Sequence, residues 1–288
     1  MLFWGFNFIS LKILYPVMEP SAILLWRYMI MGGILVVICK LTGHSLKIPP
    51  EYRNRILFAG LNSMGIYMIL FMEGVKLTYA AEAAIILASY PIMVTVWMMA
   101  LKLEPKSSAK IVGGLIAFAG VVFVVMGRPG IFSASKETSL RLIGDLMMLI
   151  GAVSWSASVV ISKPVSGHIK ALPLFTMSML GGLPVVLLFG FMPAMRVHWA
   201  DFTPWQWANF AQVCLGSGVI GMVFFYKGVS DLPASGAAMY QFLVPVIATG
   251  FAYTLLDERL AWIQAIGLAV LILGICVARG INMRHFSS

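Results

Sequence analysis

The chain carries one half of itself twice. Residues 61–120 and 215–274 align without a gap at a constant offset of 154, and sixteen of the sixty positions are identical. The matched pairs include Ser63 with Ser217, Gly74 with Gly228, Pro91 with Pro245, Glu104 with Glu258, Gly113 with Gly267 and Gly120 with Gly274. The earlier part repeats as well: Trp4 and Lys12 stand eight apart, as do Trp155 and Lys163, at an offset of 151. A duplication of this length requires both copies to take up one topology and to pack on each other, which narrows the fold more than any single motif does.

The solvent of that fold follows from composition. Hydrophobic residues make up 60%, charged residues 11%, and the mean hydropathy is +0.94, values that exclude an ordinary soluble domain. A hydrocarbon core about 30 Å thick needs roughly 20 apolar residues per helix. Such runs predict ten spans, at 1–16, 21–40, 55–76, 80–101, 110–127, 142–163, 172–192, 205–227, 233–256 and 261–279. Unpaired backbone amides are not tolerated in lipid, and the runs are too long and too evenly apolar for barrel strands. The expected fold is therefore an all-α integral membrane protein. Five helices per half is an odd number, so the halves, 1–127 and 142–280, are expected to be inverted repeats, an arrangement that places a binding site between them.

Twelve Lys and Arg side chains fall on one side of this topology and six on the other, with Lys12 and Arg27 inside spans. The positive-inside rule then puts both termini in the cytoplasm, with the chain in the cell (inner) membrane. Basic side chains facing anionic lipid account for the net charge of +9, so no nucleic-acid partner is implied. Cys39, Cys214 and Cys276 lie in apolar runs and read as packing residues. The four histidines lack metal-ligand spacing, and neither a metal nor a cofactor is expected. Helix 6 has thirteen residues before Trp155 while helix 1 has three before Trp4, from which about ten further upstream residues are expected.

Several residues together resemble a known family. Trp4-Gly5-Phe6-Asn7-Phe8 with Lys12, then Arg27, Pro91, Leu103-Glu104-Pro105, Gly113 and Gly120 look like a first EamA repeat. Pro245, Asp257-Glu258-Arg259, Gly267 and Gly274 look like the second. The chain thus resembles an EamA-type member of the drug/metabolite transporter superfamily over nearly its whole length. That resemblance implies ten helices around a central cavity, cytoplasmic termini, and often export of amino acids or related metabolites. Arg27 has no arginine counterpart, since Met179 and Leu180 stand near the matching position.

Candidate site residues follow from depth and polarity. Pro91 and Pro245 fall about eleven residues into helices 4 and 9, where proline removes a backbone bond and kinks the helix. Paired kinks in repeated helices point to a cavity, although proline can also merely shape packing. Asn7, Asn62, Tyr90, Tyr240 and Gln241 carry enough hydrogen-bonding groups to hold a zwitterion or hydroxylated solute. Serines at similar depth read as helix-to-helix bonds. Trp4 and Trp155, matched in the repeat, are candidates to stack on substrate, with interfacial anchoring as the alternative. Glu82 and Glu73 admit three readings: proton coupling, recognition of an ammonium, or structural pairing with Lys76 and Arg27. Glu104 and Glu258 are expected to cap the helices that follow them.

Function narrows by what is missing from the sequence. No G-x-x-x-x-G-K-[ST], G-x-S-x-G or H-E-x-x-H motif is present. The expected function is a secondary active transporter, exporting a small metabolite such as an amino acid, with protons as a candidate coupling ion. An integral-membrane enzyme acting on a lipid and a carrier for nucleosides or drugs are the alternatives. The expected assembly is a monomer or a homodimer.

Overall fold

The computed structural model describes residues 1–102, 108–127, 136–231, 241 and 243–278. Among these residues there are helices and no strands. In chain order the helices are α1 (Leu2–Leu14), α2 (Pro20–Leu41), α3 (Pro50–Leu77), α4 (Ala80–Ala100), α5 (Ser108–Met126), α6 (Lys136–Ser162), α7 (Ala171–Met195), α8 (Pro204–Phe225), α9 (Leu243–Leu255) and α10 (Trp262–Ala278). Six of them, α2, α3, α4, α6, α7 and α8, are long and apolar enough to cross a membrane. Shorter apolar helices are α1, α9, α10 and the Ile111–Val124 stretch of α5. The predicted span at 233–256 begins in residues outside the described set.

Helix starts follow local rules. Pro20 opens α2 and Pro204 opens α8, positions where a missing N–H costs nothing. At α8 the Thr203 side chain accepts from the Gln206 amide while the Gln206 side chain accepts from the Thr203 amide, a complete capping box. Three helices are irregular in mid-course. α3 widens to i→i+5 bonding over Leu61–Ile66, and α8 does so over Gln212–Ile220. α4 breaks at Ala88 and Ser89, between Ala80–Leu87 and Tyr90–Ala100, with Pro91 just inside the second piece. At the break the Ile86 carbonyl accepts from both the amide and the hydroxyl of Ser89.

Close packing fixes how these rods sit together. α5 lies along α10, α2 along α7, and α3 against both α6 and α7. α1 packs on α8 and α9, α6 on α4, and α2 on α8. Glycine sets the closest of these contacts. A Cβ at Gly120 would stand 2.7 Å from the Gly267 carbonyl oxygen, and one at Gly274 would stand 2.6 Å from that of Gly113. The repeat-matched glycines of α5 and α10 therefore form a backbone-to-backbone seam inside the chain. The core is apolar, with Phe8, Ile9, Leu24, Met64, Ile85 and Phe175 among its buried members.

Candidate functional site

Between the helices lies a cavity of about 60 Å³. Its wall is built from α1, α2, α3, both pieces of α4, α6, α8 and the start of α9. One side is aromatic. The Trp155 ring lies 5.0 Å from that of Tyr67 and 6.5 Å, edge-on, from that of Tyr90, and Trp4 and Trp155 both approach Phe225, at 5.0 and 6.4 Å. The other side is polar and comes from Asn7, Arg27 and Gln241.

The polar groups of α1 are held by the widened part of α8. Ser217 donates its hydroxyl to Asn7 Oδ1 at 2.6 Å, and Trp4 Nε1 donates to the Ser217 carbonyl at 3.0 Å. The Ser217 amide in turn donates to Gln212 Oε1 at 3.1 Å. Side chains thus satisfy groups that the i→i+5 spacing leaves without their usual partners. Arg27 is different. It is 3% exposed, yet neither Nε nor Nη1 has a hydrogen-bond partner, and no carboxylate among the described residues pairs with it.

A second polar cluster sits where α3 ends and α4, α6 and α10 begin. Glu82 is 2% exposed and Asp145 is 3% exposed. The Thr78 hydroxyl lies 2.8 Å from Glu82 Oε2 and 2.7 Å from Asp145 Oδ1. Arg141 pairs with Glu82 Oε1 at 2.9 Å and lays its guanidinium 4.0 Å over the Tyr79 ring, while Gln264 Nε2 also donates to Glu82 Oε1. Lys12 Nζ donates to the carbonyls of Lys76 and Thr78, closing the last turn of α3.

Glu258 accepts from the amides of Ala80 and Ala81, at 3.1 and 3.2 Å. This corrects its expected role: it caps α4, while the start of α10 is served by Gln264 Oε1, which accepts from the Ala261 amide. Burial pushes the Glu258 carboxyl above its ordinary value, against the two amides and Lys12, which pull it down.

Of the residues singled out from sequence, the cavity gathers Trp4, Asn7, Tyr90, Trp155, Gln241 and Pro245. Asn62 is not in its wall. Its Nδ2 donates to the Phe58 carbonyl, and its Oδ1 and main-chain carbonyl accept from the Ser154 hydroxyl, so it ties α3 to α6. Pro91 borders the break in α4 without lining the cavity. Tyr240 and Glu104 lie outside the described residues. Glu82 stands in the second cluster, paired with Arg141 in place of Lys76 or Arg27. Glu73 is half-buried with Lys76 and Glu19 as charged neighbours. Sequence reasoning passed over Arg27 as a site residue and did not name Asp145. In each case the available signal was a charge within an apolar run.

An aromatic-walled cavity inside an apolar helical bundle fits what comparison with known proteins finds. The model of the EamA-like transporter family matches residues 1–126 and 142–280. The chain belongs to that family. The EamA relatives include the uncharacterized transporter YyaM of Bacillus subtilis, 22% identical and aligned over 97% of this chain and 91% of its own. An uncharacterized transporter of Archaeoglobus fulgidus is 23% identical over 96% and 93%, and YoaV of Bacillus subtilis is 25% identical over 95% and 92%. A solved protein crystal structure, 18% identical, superposes with a TM-score of 0.71 over 100% of this chain and 96% of that one, and shares the fold. This EamA protein is thus a membrane transporter and not an enzyme.

Proposed function

We propose that this EamA protein is a secondary active transporter that exports a small metabolite, such as an amino acid, by alternating access between two inverted five-helix repeats, residues 1–127 and 142–280. In this reading all ten helices span the inner membrane, both termini are cytoplasmic, and the working unit is a monomer or homodimer. The observation that carries it is the cavity itself, whose wall includes Trp4 and Trp155, repeat-matched residues of opposite halves that both approach Phe225. The packing pattern supports the same reading. α1 on α8 corresponds to α6 on α3, α1 on α9 to α6 on α4, and α2 on α8 to α7 on α3. Two near-equivalent arrangements of the halves are what alternating access requires, and the break in α4 and the widened turns of α3 and α8 are where the backbone can yield.

Coupling is assigned to Glu82. A hydroxyl has one proton to donate, yet Thr78 stands within bonding distance of two buried carboxyl groups. Thr78 thus bridges Glu82 and Asp145 through one hydroxyl, and this buried pair of acidic groups is the feature that favours Glu82 for coupling. Arg141 and Gln264 hold the other oxygen of Glu82, and Lys12 and Glu258 complete the charged surroundings. The test of transport is counterflow into proteoliposomes preloaded with unlabelled amino acids, wild type beside Gln241→Ala. Exchange of one solute class, lost in Gln241→Ala, supports the reading, and no exchange of amino acids, nucleosides or cationic drugs by folded protein rejects it. For coupling, Glu82→Gln is expected to keep exchange and lose pH-gradient-driven accumulation, while Glu73→Gln keeps both. Unchanged gradient-driven accumulation in Glu82→Gln would remove the assignment.

A further inference from the structure

Arg27 is the one charged residue among the described residues that line the cavity. It is nearly sealed from solvent, and Nε and Nη1 have no acceptor among the described residues. A buried cation without a counter-charge is strongly disfavoured, and guanidinium, unlike a lysine, does not escape by deprotonating. Its charge therefore calls for an anion that the protein does not supply. Gly218 of α8 lies beside the guanidinium, where a Cβ would stand 3.6 Å from Arg27 Nε, and Arg27 itself lines the cavity.

We infer that Arg27 binds the carboxylate of the transported solute, so that the substrates are organic monoanions with an apolar body, and amino acids are read through their carboxylate. This rests on the transporter reading above and names its substrate class. Three observations fix the class. The planar fork of guanidinium donors matches a carboxylate in a two-bond contact. A single positive charge, with no lysine or second arginine in the described wall, suits one negative charge and not a phosphate dianion. The remaining wall, Trp4, Tyr67, Phe71 and Trp155, offers apolar contact, with Asn7 and Gln241 as uncharged polar groups. No acidic residue lines the described wall, and the sequence at 232–240 contains none, so a substrate ammonium finds no partner of opposite charge.

The experiment compares sets of solutes that share a skeleton and differ in charge: 3-phenylpropionate, phenylalanine and phenylalaninamide, with 4-methylpentanoate, leucine and leucinamide as an aliphatic set. Binding to detergent-solubilised protein is read from the fluorescence of the cavity indoles, and transport from counterflow. In at least one set the carboxylates are expected to bind ten-fold or more tightly than the amide. Arg27→Gln is expected to abolish that preference, and Arg27→Lys to keep part of it. Both variants are checked for a single gel-filtration peak and an undiminished melting temperature. Amides that bind as well as carboxylates, a preference that survives Arg27→Gln, or no carboxylate binding in either set overturns the inference. Equal competition by chloride assigns Arg27 to a resident inorganic ion and overturns it too. Carboxylate binding that depends on Arg27 without any exchange rejects the transport reading and leaves the anion site standing.

Discussion

The crossing of α7 over α3 and the crossing of α2 over α8 occupy corresponding places in the two copies, yet they are closed in opposite ways. At α3 and α7 the backbones nearly touch: a Cβ on Gly60 would run into the Ser178 carbonyl, and one on Gly182 would stand 2.6 Å from the main chain of Met64. At α2 and α8 the same region holds Arg27, with a Cβ on Gly218 standing 3.6 Å from its Nε and 3.3 Å from Met31 Sδ. Where the first crossing has a small Ser178, the second has a guanidinium. Under the transporter proposal, the duplicated frame supplies shape from both halves and charge from one, so that a polar solute is held in one orientation.

The largest effect is expected from closing the contrast at its tight end. Gly60→Val forces backbone from backbone and is expected to cost more than about 3 kcal/mol, seen as loss of monodisperse protein, whereas Gly33→Ala, with nothing within 4 Å of its Cβ, is expected to be neutral. Equal behaviour of the two would show that the tight crossing does not hold the fold. Next comes Arg27→Met at the open end. Removing a buried, unpaired charge is expected to stabilise by roughly 1–3 kcal/mol, read as a higher melting temperature together with lost carboxylate binding. A fall in melting temperature would mean that Arg27 is a structural prop.

The two widened turns differ in what serves their carbonyls. In α8 the Ser217 carbonyl is served by the cavity residue Trp4, and in α3 the Asn62 carbonyl is served by Ser154, away from the cavity. Trp4→Phe leaves that acceptor without its donor and is expected to cost about 1 kcal/mol and to slow counterflow several-fold. Ser154→Ala is expected to cost about 0.6 kcal/mol with transport unchanged. Equal transport defects would mean that both turns serve the cycle alike. The smallest effect belongs to Glu258. Its carboxyl is raised above 4.5 by burial, so the contribution of its protonated form is full below that value and fades as pH climbs through the raised one. Glu258→Gln is expected to gain slightly on wild type in melting temperature between pH 4 and pH 7, and a gap that shrinks with rising pH would reverse the assignment.

Much of this was legible in the residues. The repeat and the apolar runs anticipated helices near the places where they stand, and the matched tryptophans and Gln241 pointed to the cavity. Polarity and depth alone could not separate Asn62 from Asn7, because both are bulky amides that accept from a serine hydroxyl, and only the helix packing decides which one borders the cavity. Arg27 was discounted as a site residue by the search for repeated residues, since its meaning lies in having no counterpart. The Thr78 bridge joins residues 67 apart in sequence, and no local pattern announces it. The widening of α3 and α8 leaves no trace in apolar periodicity.

The seam between α5 and α10 has a mechanical consequence. A contact made of main chain has no rotamers to exchange, so it can neither loosen by side-chain motion nor take up a shifted register without separating entirely. Those two helices move as one stiff keel. In the alternating-access proposal, any change in the volume of the cavity is then absorbed in the broken α4 and the two widened turns, and the amplitude of each cycle follows from how far those few peptide units can bend.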